Sequence, residues 1–382
     1  MKSLYIPYSL IILMIFSTCT TGQEERTVNA PEDIDPGKLH LDLIEMPEGF
    51  QIDTYATDLN DARSMAKGPK GNIFVGNRQE DKVYLIRDTD HDFKADERHV
   101  IVENLNMPNG VAYHEGDLYV AEVNRILKFP KIMANYDKDP EYEVIYDDYP
   151  TDRHHGWKYI AFGPDGKLYV PVGAPCNICD SEEDIYASIT RMDPDGSNME
   201  IYAEGIRNTV GFTWHPETGN LWFTDNGRDR MGDNIPPDEL NKAPKKGMHF
   251  GYPYCHGRDI PDPQFGEGKS CSDYTPPVQE LGPHVAALGM IFYTGDMFPA
   301  KYKNQILIAE HGSWNRSEKI GYRVMMVGVE NGKAKSYKPF AKGWLQGEKV
   351  WGRPVDIVQL HDGSILLSDD YGDAIYRITY QE

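Results

Sequence analysis

The sequence predicts an all-β fold, a six-bladed β-propeller. A Gly-containing turn followed by an alternating apolar strand occurs six times, and successive copies lie 45 to 59 residues apart except for one gap of 85. That spacing suits one four-stranded sheet for each copy, and the Asp-Gly and Gly-Asn turns adopt positive φ at low cost. The six strands are centred near Ile73, Leu118, Leu168, Leu221, Ile306 and Ile365.

Further strands and a ring closure complete the predicted blades. A second apolar run precedes several of the turns, as in Gly110–Tyr113 and Val355–Val358. Phe50–Tyr55 is expected to pair with the last blade around Ala374–Ile378 and so lock the ring. The propeller domain is assigned to residues 41–382, and the long stretch 226–288 between the fourth and fifth copies is expected to form a rim around the channel mouth.

The amino terminus is predicted to be an export signal. Lys2 precedes an apolar run at 11–16, which is too short for a spanning helix, and small residues stand directly before Cys19. This arrangement resembles the lipobox of bacterial lipoproteins. We therefore expect a signal peptide at 1–18, lipidation of Cys19 and a flexible tether at 19–40, with an ordinary cleaved signal as the alternative. The protein would then be periplasmic or attached to the outer membrane, touching membrane only through its lipid.

The other four cysteines are expected to form two disulfides, because the chain is predicted to be exported. Four cysteines allow three pairings, and the two local ones, Cys176–Cys179 and Cys255–Cys271, are favoured. Haem attachment would require a histidine after Cys179, where Asp180 stands, and a zinc site would require a second close pair.

The net charge argues against a nucleic-acid partner. The chain has 39 Lys and Arg against 60 Asp and Glu, a formal net charge of −21. Binding a polyanion requires a basic surface, which this composition does not provide.

Histidine, arginine and asparagine stand directly before predicted blade strands. His154 and His155 precede the strand beginning near Trp157, and Arg207 and Asn208 precede the next blade. A neutral imidazole is a suitable general base, and a guanidinium is suited to a carboxylate. The alternatives are a packed surface loop for the histidines and a turn cap beside a paired arginine for Arg207 and Asn208.

An acidic loop follows the fourth copy. Asp225-Asn-Gly-Arg-Asp229 is succeeded by Asp238 and Glu239. Carbonyl and carboxylate oxygens so close in sequence suit Ca²⁺, although a solvated acidic loop would have the same composition.

Arginines recur at equivalent places in the last two blades. Arg316 lies in His311-Gly-Ser-Trp-Asn-Arg316, and Arg353 lies in Trp351-Gly-Arg-Pro354. Repeated cations at one end of successive blades, in an acidic chain, predict a cluster that binds an anion.

The order of these motifs resembles that of the soluble sugar dehydrogenases that depend on pyrroloquinoline quinone (PQQ), including glucose/sorbosone dehydrogenases and pyranose dehydrogenase propellers. The shared pattern is His-x-Gly and Phe-Gly-Pro-Asp-Gly-Lys-Leu-Tyr, then Gly-Ile-Arg-Asn-Thr-Val-Gly-Phe, then Asp-Glu-Leu-Asn and Phe-Gly-Tyr-Pro. It covers about residues 41 to 382. The resemblance implies PQQ and Ca²⁺ as cofactors and a small-molecule sugar as substrate. Because the sequence shows no haem motif, electrons would leave to a separate soluble or membrane acceptor.

The resemblance also implies a role for each site residue. His155 would be the catalytic base. Arg207, Asn208, Arg316 and Arg353 would bind the quinone. The backbone carbonyls of Gly227 and Arg228 would bind Ca²⁺, with Asp238 and Glu239 ordering that loop.

Two other functions fit the same predicted fold. One is a Ca²⁺-dependent hydrolase of the lactonase kind, which Asn109-Gly110 and Asn226-Gly227 keep open. The other is a propeller without catalytic activity that binds a glycan or a protein.

Overall fold

The structure, a computed structural model, describes Met1, residues 34–35 and residues 37–382. Nearly all of the predicted signal peptide, Cys19 and most of the predicted tether lie outside the described residues. Among the described residues, no helix combines the length and the apolar character needed to cross a bilayer.

Six antiparallel sheets form the propeller, and each blade is numbered here from its innermost strand outwards. Blade 1 contains Met65–Lys67, Ile73–Val75, Val83–Arg87 and Glu97–Val102; blade 2 contains Gly110–His114, Asp117–Ala121, Ile126–Phe129 and Glu143–Tyr146; blade 3 contains Ala161–Phe162, Leu168–Val172, Ser188–Met192 and Glu200–Glu204, with Met248–His249 added in parallel.

The remaining blades have the same order of strands. Blade 4 contains Phe212–Trp214, Leu221–Asp225, Pro237–Ala243 and Gln279–Pro283; blade 5 contains Ala287–Phe292, Ile306–Glu310, Arg323–Glu330 and Lys333–Lys342; blade 6 contains Pro354–Gln359, Ile365–Asp369, Ala374–Tyr380 and Phe50–Ala56. The predicted six-bladed propeller is confirmed, and each of the six predicted strands is the second strand of a blade.

The ring is closed by a strand from the beginning of the propeller. Phe50–Ala56 pairs antiparallel with Ala374–Tyr380, with Phe50 opposite Tyr380 and Asp53 opposite Arg377. The predicted closure is therefore correct, and blade 6 contains both ends of the domain.

Short elements decorate the blades. Two small hairpins pair Cys255–His256 with Ile260–Pro261 and Leu345–Gln346 with Lys349–Val350. One α-helical turn and four 3₁₀ turns occur in the described residues: Ile132–Asn135, Leu41–Leu43, Pro69–Gly71, Cys271–Asp273 and Ala300–Tyr302. Both predicted disulfides, Cys176–Cys179 and Cys255–Cys271, are present.

A buried apolar cluster lies between each pair of neighbouring blades. Between blades 1 and 2, for example, Phe74 and Leu85 pack with Val111 and Val120, all nearly inaccessible to solvent. Full burial of such a side chain contributes about 1.5–3 kcal/mol. Both faces of each blade pack against a neighbour, so second strands such as Leu168–Val172 are buried along their whole length. This packing fixes the blade ends that carry the polar site.

Candidate functional site

A cavity of about 360 Å³ opens where residues before the innermost strands meet residues after the second strands. These two kinds of position lie at the same end of each blade, because the first and second strands are antiparallel. Five of the six blades contribute side chains or backbone to the wall. The sequence-predicted residues that line it are His155, Arg207, Asn208, Gly227, Asp238 and Arg353.

The cavity wall is rich in cations. Arg63, Arg78, Arg207 and Arg353 all line it, against two lining carboxylates, Asp229 and Asp238. Asp229 lies 3.4 Å from the Arg207 guanidinium. Its apolar part contains Leu288, which packs with Val210 and Val355 against Trp157. Four guanidinium groups beside an apolar surface suit a flat ligand with several negative charges.

His155 is held in one orientation by the backbone of blade 3. Its Nδ1 lies 2.9 Å from the carbonyl oxygen of Ala174. Because a carbonyl only accepts, Nδ1 must carry the proton, and Nε2 keeps its lone pair. Nε2 has no hydrogen-bond partner among the described residues. This is the arrangement that a general base requires.

The electrostatic surroundings keep the His155 imidazole neutral. His155 is only 8% exposed to solvent. Burial lowers the pKa of His155 well below 6.5, and the nearby Arg207 charge and His154 add to that effect. His154 contacts the His155 ring, with centroids 4.1 Å apart, and does not line the cavity. Of the two histidines, only His155 is oriented towards the wall residues.

Arg207 and Asn208 are fixed by a buried carboxylate at the end of the second strand of blade 4. The two oxygens of Asp225 accept hydrogen bonds from the backbone N–H groups of Arg207, at 2.9 Å, and Asn208, at 2.7 Å. The Arg207 guanidinium donates to the carbonyl oxygens of Asn177 and Asn226. Burial raises the pKa of Asp225 to about 6, so these backbone donors are what favours its charged form.

Asp238 orders the loop that begins at Gly227. Its Oδ1 accepts the Gly227 N–H at 2.9 Å, and its Oδ2 accepts the Ala287 N–H at 3.3 Å. Burial raises the pKa of Asp238 to about 7. A cation beside this carboxylate would offset the cost of burying its charge. Among the described residues, the carbonyl oxygens of Gly227 and Arg228 accept no hydrogen bond, so hard oxygen ligands are available for Ca²⁺.

Three predicted site residues do not line the cavity. The Arg228 guanidinium pairs with the buried Asp262, 2.6 Å away. Glu239 accepts the Gly257 N–H at 2.7 Å and the Asn241 side-chain amide at 2.9 Å, and burial raises its pKa to about 8. Arg316 donates from Nε to the carbonyl oxygen of Glu318 at 3.2 Å.

Arg353 belongs to a charged network that joins the ends of the ring. One carboxylate, Asp370, lies 2.5 Å from Arg63 Nη1, 2.9 Å from Arg353 Nε and 2.9 Å from His311 Nε2. The surrounding positive groups hold the pKa of Asp370 far below its usual range, although burial opposes them. One carboxylate cannot neutralise two guanidinium groups, so the network retains positive charge at the cavity wall.

Sequence reasoning missed Arg63, Arg78 and His311 as wall residues. Arg63 stands just before the innermost strand of blade 1, as Arg353 does in blade 6, so comparison of blade positions could have found it. Arg78 lies with its guanidinium carbon 4.6 Å from the centroid of the Trp157 ring, and burial lowers its pKa to about 10. Nothing local in the sequence predicts that contact between blades 1 and 3.

Several buried polar atoms at the wall have no hydrogen-bond partner among the described residues. They are Nε1 of Trp157, Nδ1 of His284 and Oδ1 of Asn315. A buried polar group left without a partner costs about 1–3 kcal/mol. His284 Nε2 lies 2.8 Å from the carbonyl oxygen of Gly232 and so carries the proton, which leaves Nδ1 of the neutral ring as an acceptor. One donor and two acceptors around a cationic cavity are groups that a polar ligand would satisfy.

The fold and the cavity together define the class: a six-bladed β-propeller with a cationic pocket at the channel mouth. Residues 37–378 match the model of the family described as "Domain of unknown function (DUF7133)", and the chain belongs to that family. A Borreliella burgdorferi protein described as uncharacterized is 33% identical over 359 residues, which cover 89% of this chain and 91% of the relative.

Solved structures share the fold at lower identity. The calcium structure of Trichoderma reesei carbohydrate-active enzyme family AA12 has a TM-score of 0.76 and 17% identity, covering 88% of this chain and 97% of that one. The holo form of the pyranose dehydrogenase PQQ domain from Coprinopsis cinerea has a TM-score of 0.74 and 18% identity, with the same shares covered. These likenesses establish the architecture of the chain.

Proposed function

We propose that the protein is an exported dehydrogenase that oxidises a sugar hydroxyl or aldehyde group with PQQ and Ca²⁺. The observation that carries the proposal is His155, a neutral, oriented imidazole in a cavity walled by four arginines. The printed descriptions of two structural neighbours, a pyranose dehydrogenase PQQ domain and a calcium structure, support the same cofactors.

The wall residues fit a quinone that bears three carboxylates. Arg63, Arg78, Arg207 and Arg353 supply the positive charge that such an anion needs in a chain of net charge −21. Trp157 Nε1 and Asn208 supply polar groups for the ring edges. When bound, the quinone would supply the electrophile that accepts hydride from the sugar carbon.

Ca²⁺ would be held by the loop after blade 4's second strand. The Gly227 and Arg228 carbonyl oxygens would be ligands, and Asp238, which already fixes the Gly227 N–H, would balance the charge. Glu239, which bonds Gly257 of the neighbouring hairpin and Asn241, makes no described side-chain hydrogen bond to this loop, so the ordering role falls to Asp238. The metal would act as a Lewis acid at the quinone.

His155 would take the proton of the substrate hydroxyl at Nε2. The bond from Nδ1 to Ala174 fixes the tautomer, and the Arg207 charge helps to keep the free imidazole neutral and so able to accept a proton. Trp314, 73% exposed at the cavity mouth, offers an apolar face suited to the C–H surface of a sugar ring.

Export, lipidation of Cys19 and electron transfer to a separate carrier remain parts of the proposal. The lipobox-like sequence before Cys19 supports the first two. A membrane-tethered enzyme would release its electrons to a soluble or membrane acceptor.

The test begins with purified protein freed of divalent cations. We expect one equivalent of PQQ to bind in calorimetric titration when Ca²⁺ is present, and an aldose panel to give dye reduction that depends on both additions. Lactones are assayed in parallel. Absence of quinone binding would overturn the proposal, and lactone hydrolysis that survives His155→Ala would favour the hydrolase.

Gly173→Ala tests the orientation of His155. A Cβ at Gly173 would lie 2.5 Å from the His155 Cβ and 2.8 Å from its carbonyl oxygen, so the histidine must move. Because a displacement of about 1 Å can cost about 10²-fold in rate, we expect kcat to fall by about that factor. Steady-state dye reduction measures the effect.

The control is Gly116→Ala. Gly116 has open space around its Cβ direction but a φ of +99°, so the substitution strains the backbone without touching the cavity. We expect lower thermal stability and an unchanged kcat. Equal loss of kcat in both variants would mean that Gly173 acts through general stability.

A further inference from the structure

We propose that the Cys176–Cys179 disulfide is a positioning device for the cavity: it fixes Asn177, and Asn177 in turn sets the Arg207 guanidinium and the loop that continues from Gly227. The inference deepens the proposed function, since it rests on Arg207 binding the quinone. Asn177 is a positioning residue, because its contacts are made with Arg207 and Asp229 and it does not line the cavity.

Asn177 makes four hydrogen bonds to the two segments that bound the cavity at this side. Its carbonyl oxygen accepts Arg207 Nε at 2.8 Å, and its Oδ1 accepts Arg207 Nη2 at 2.9 Å. The same Oδ1 accepts the Asp229 N–H at 2.8 Å, and its Nδ2 donates to the Asp229 carbonyl oxygen at 3.1 Å. Asn177 therefore fixes the proposed quinone ligand, Arg207, relative to Asp229 of the proposed metal loop.

The disulfide encloses Asn177 in a four-residue ring. Residues 173–181 form no helix or strand, so their backbone freedom must be restricted by other means. The cross-link restricts it directly at Cys176 and Cys179, the residues at either end of the ring that contains Asn177. Without the cross-link, the conformational entropy lost on ordering Asn177 would offset more of the free energy of its four hydrogen bonds.

Tyr252 ties this ring to the strand that leads to Arg207. Its hydroxyl accepts the Cys179 N–H at 3.0 Å, and its own N–H donates to the Gly205 carbonyl oxygen at 3.1 Å. Tyr252 is buried. Tyr252 thus links the disulfide ring to the backbone at Gly205, two residues before Arg207.

The same segment also joins Arg207 to His155. The Ala174 N–H donates to the Arg207 carbonyl oxygen at 2.8 Å, and the Ala174 carbonyl accepts from His155. Movement of residues 174–179 would therefore alter both the proposed base and the proposed quinone ligand. A disulfide that restrains this short loop would therefore restrain His155 and Arg207 together.

The second disulfide provides a matched control. Cys255–Cys271 closes a longer loop in the insertion, and neither cysteine contacts Asn177, Arg207 or Asp229 through a described hydrogen bond. Its removal should lower the stability of the fold without disturbing the hydrogen bonds of Asn177 to Arg207 and Asp229.

The experiment compares two double variants, Cys176→Ser/Cys179→Ser and Cys255→Ser/Cys271→Ser, with Asn177→Ala and Asn177→Asp. We expect the first double variant and Asn177→Ala to weaken PQQ binding by about ten- to hundredfold in calorimetry, since each removes or frees charge-assisted hydrogen bonds. We expect less than about threefold weakening in the second double variant. Asn177→Asp, which keeps the acceptors for Arg207, should recover part of the loss.

A second measurement needs no cofactor. Hydrogen exchange of the Asp229 amide in the free protein should accelerate about tenfold or more in the first double variant and in Asn177→Ala, but not in the Cys255/Cys271 variant. If the wild-type chain binds no PQQ, the proposed function fails. The exchange result still decides whether the Cys176–Cys179 disulfide and Asn177 hold the segment at Asp229. Equal exchange and equal binding in both double variants would overturn the inference.

Discussion

Replacing His155 with asparagine is expected to lower kcat for sugar oxidation by about 10²- to 10⁴-fold while leaving the PQQ affinity within about threefold. That range is the usual contribution of a positioned general base. Asparagine keeps a donor for the Ala174 carbonyl oxygen, so the local backbone should hold, but it has no lone pair of comparable basicity. Single-turnover dye reduction and calorimetric titration separate the two quantities.

His154→Asn is the matched control, because His154 contacts the same ring without lining the cavity. Its kcat should fall by less than about threefold. A comparable loss from His154→Asn, or a His155→Asn variant that retains most of its activity, would remove His155 as the base.

The pH dependence follows from the direction of the His155 shift. A base is active in its neutral form, and burial lowers the pKa of His155 well below 6.5. With Ca²⁺ at saturation, so that the cation keeps Asp238 charged, we therefore expect kcat/KM to stay constant as pH falls through 6.5 and to decline only in more acidic solution. A decline centred at or above 6.5 would contradict the buried, neutral state.

Asp370→Asn is expected to have the largest effect on stability, lowering the free energy of unfolding by about 3–5 kcal/mol. Removing one partner of a buried ion pair leaves an uncompensated charge. Arg63 is only 1% exposed, lies 2.5 Å from the Asp370 carboxylate and has little access to water. Urea denaturation at neutral pH measures the loss.

Glu330→Gln is the control for an exposed ion pair. Glu330 lies 3.6 Å from Lys335, and both side chains are largely exposed, so the expected loss is below about 1 kcal/mol. A similarly small loss from Asp370→Asn would mean that solvent reaches Arg63.

The effect of Asp370→Asn should depend on pH in one direction. Because the pKa of Asp370 is lowered in the folded protein, its contribution to stability is present above the unfolded value near 3.8 and is lost as pH falls below it. The wild-type and variant stabilities should therefore converge in acid. Divergence on acidification would contradict the assigned ionisation.

The fold was readable from local sequence because each blade is specified by its own turn chemistry. Gly-Pro-Asp-Gly-Lys before Leu168 and His-Asp-Gly-Ser before Ile365 each form the turn between the first two strands of a blade, and an apolar strand follows. Ring closure was also predictable, since an unpaired strand near Phe50 and a final blade lacking one strand complement each other.

The candidate site was only partly readable. His155 and Arg207 stand in motifs that a single blade displays, so sequence alone could single them out. Arg63 and Asp370, 307 residues apart, meet only because the ring brings blade 1 beside blade 6. The wall position of Arg78 depends on a contact with Trp157 two blades away.

The sequence by itself determined the number of blades, the ring closure and the end of each blade that carries polar residues, because turns and short apolar strands are local properties of the chain. It favoured the two local disulfide pairings among three, and the structure decided for them. Tertiary structure alone decided which cations share one cavity, why Arg228 pairs with Asp262 and Arg316 lies off the wall, and how Asn177 holds Arg207. Those outcomes depend on distances across the ring, and burial then sets the charge state of His155 and Asp238.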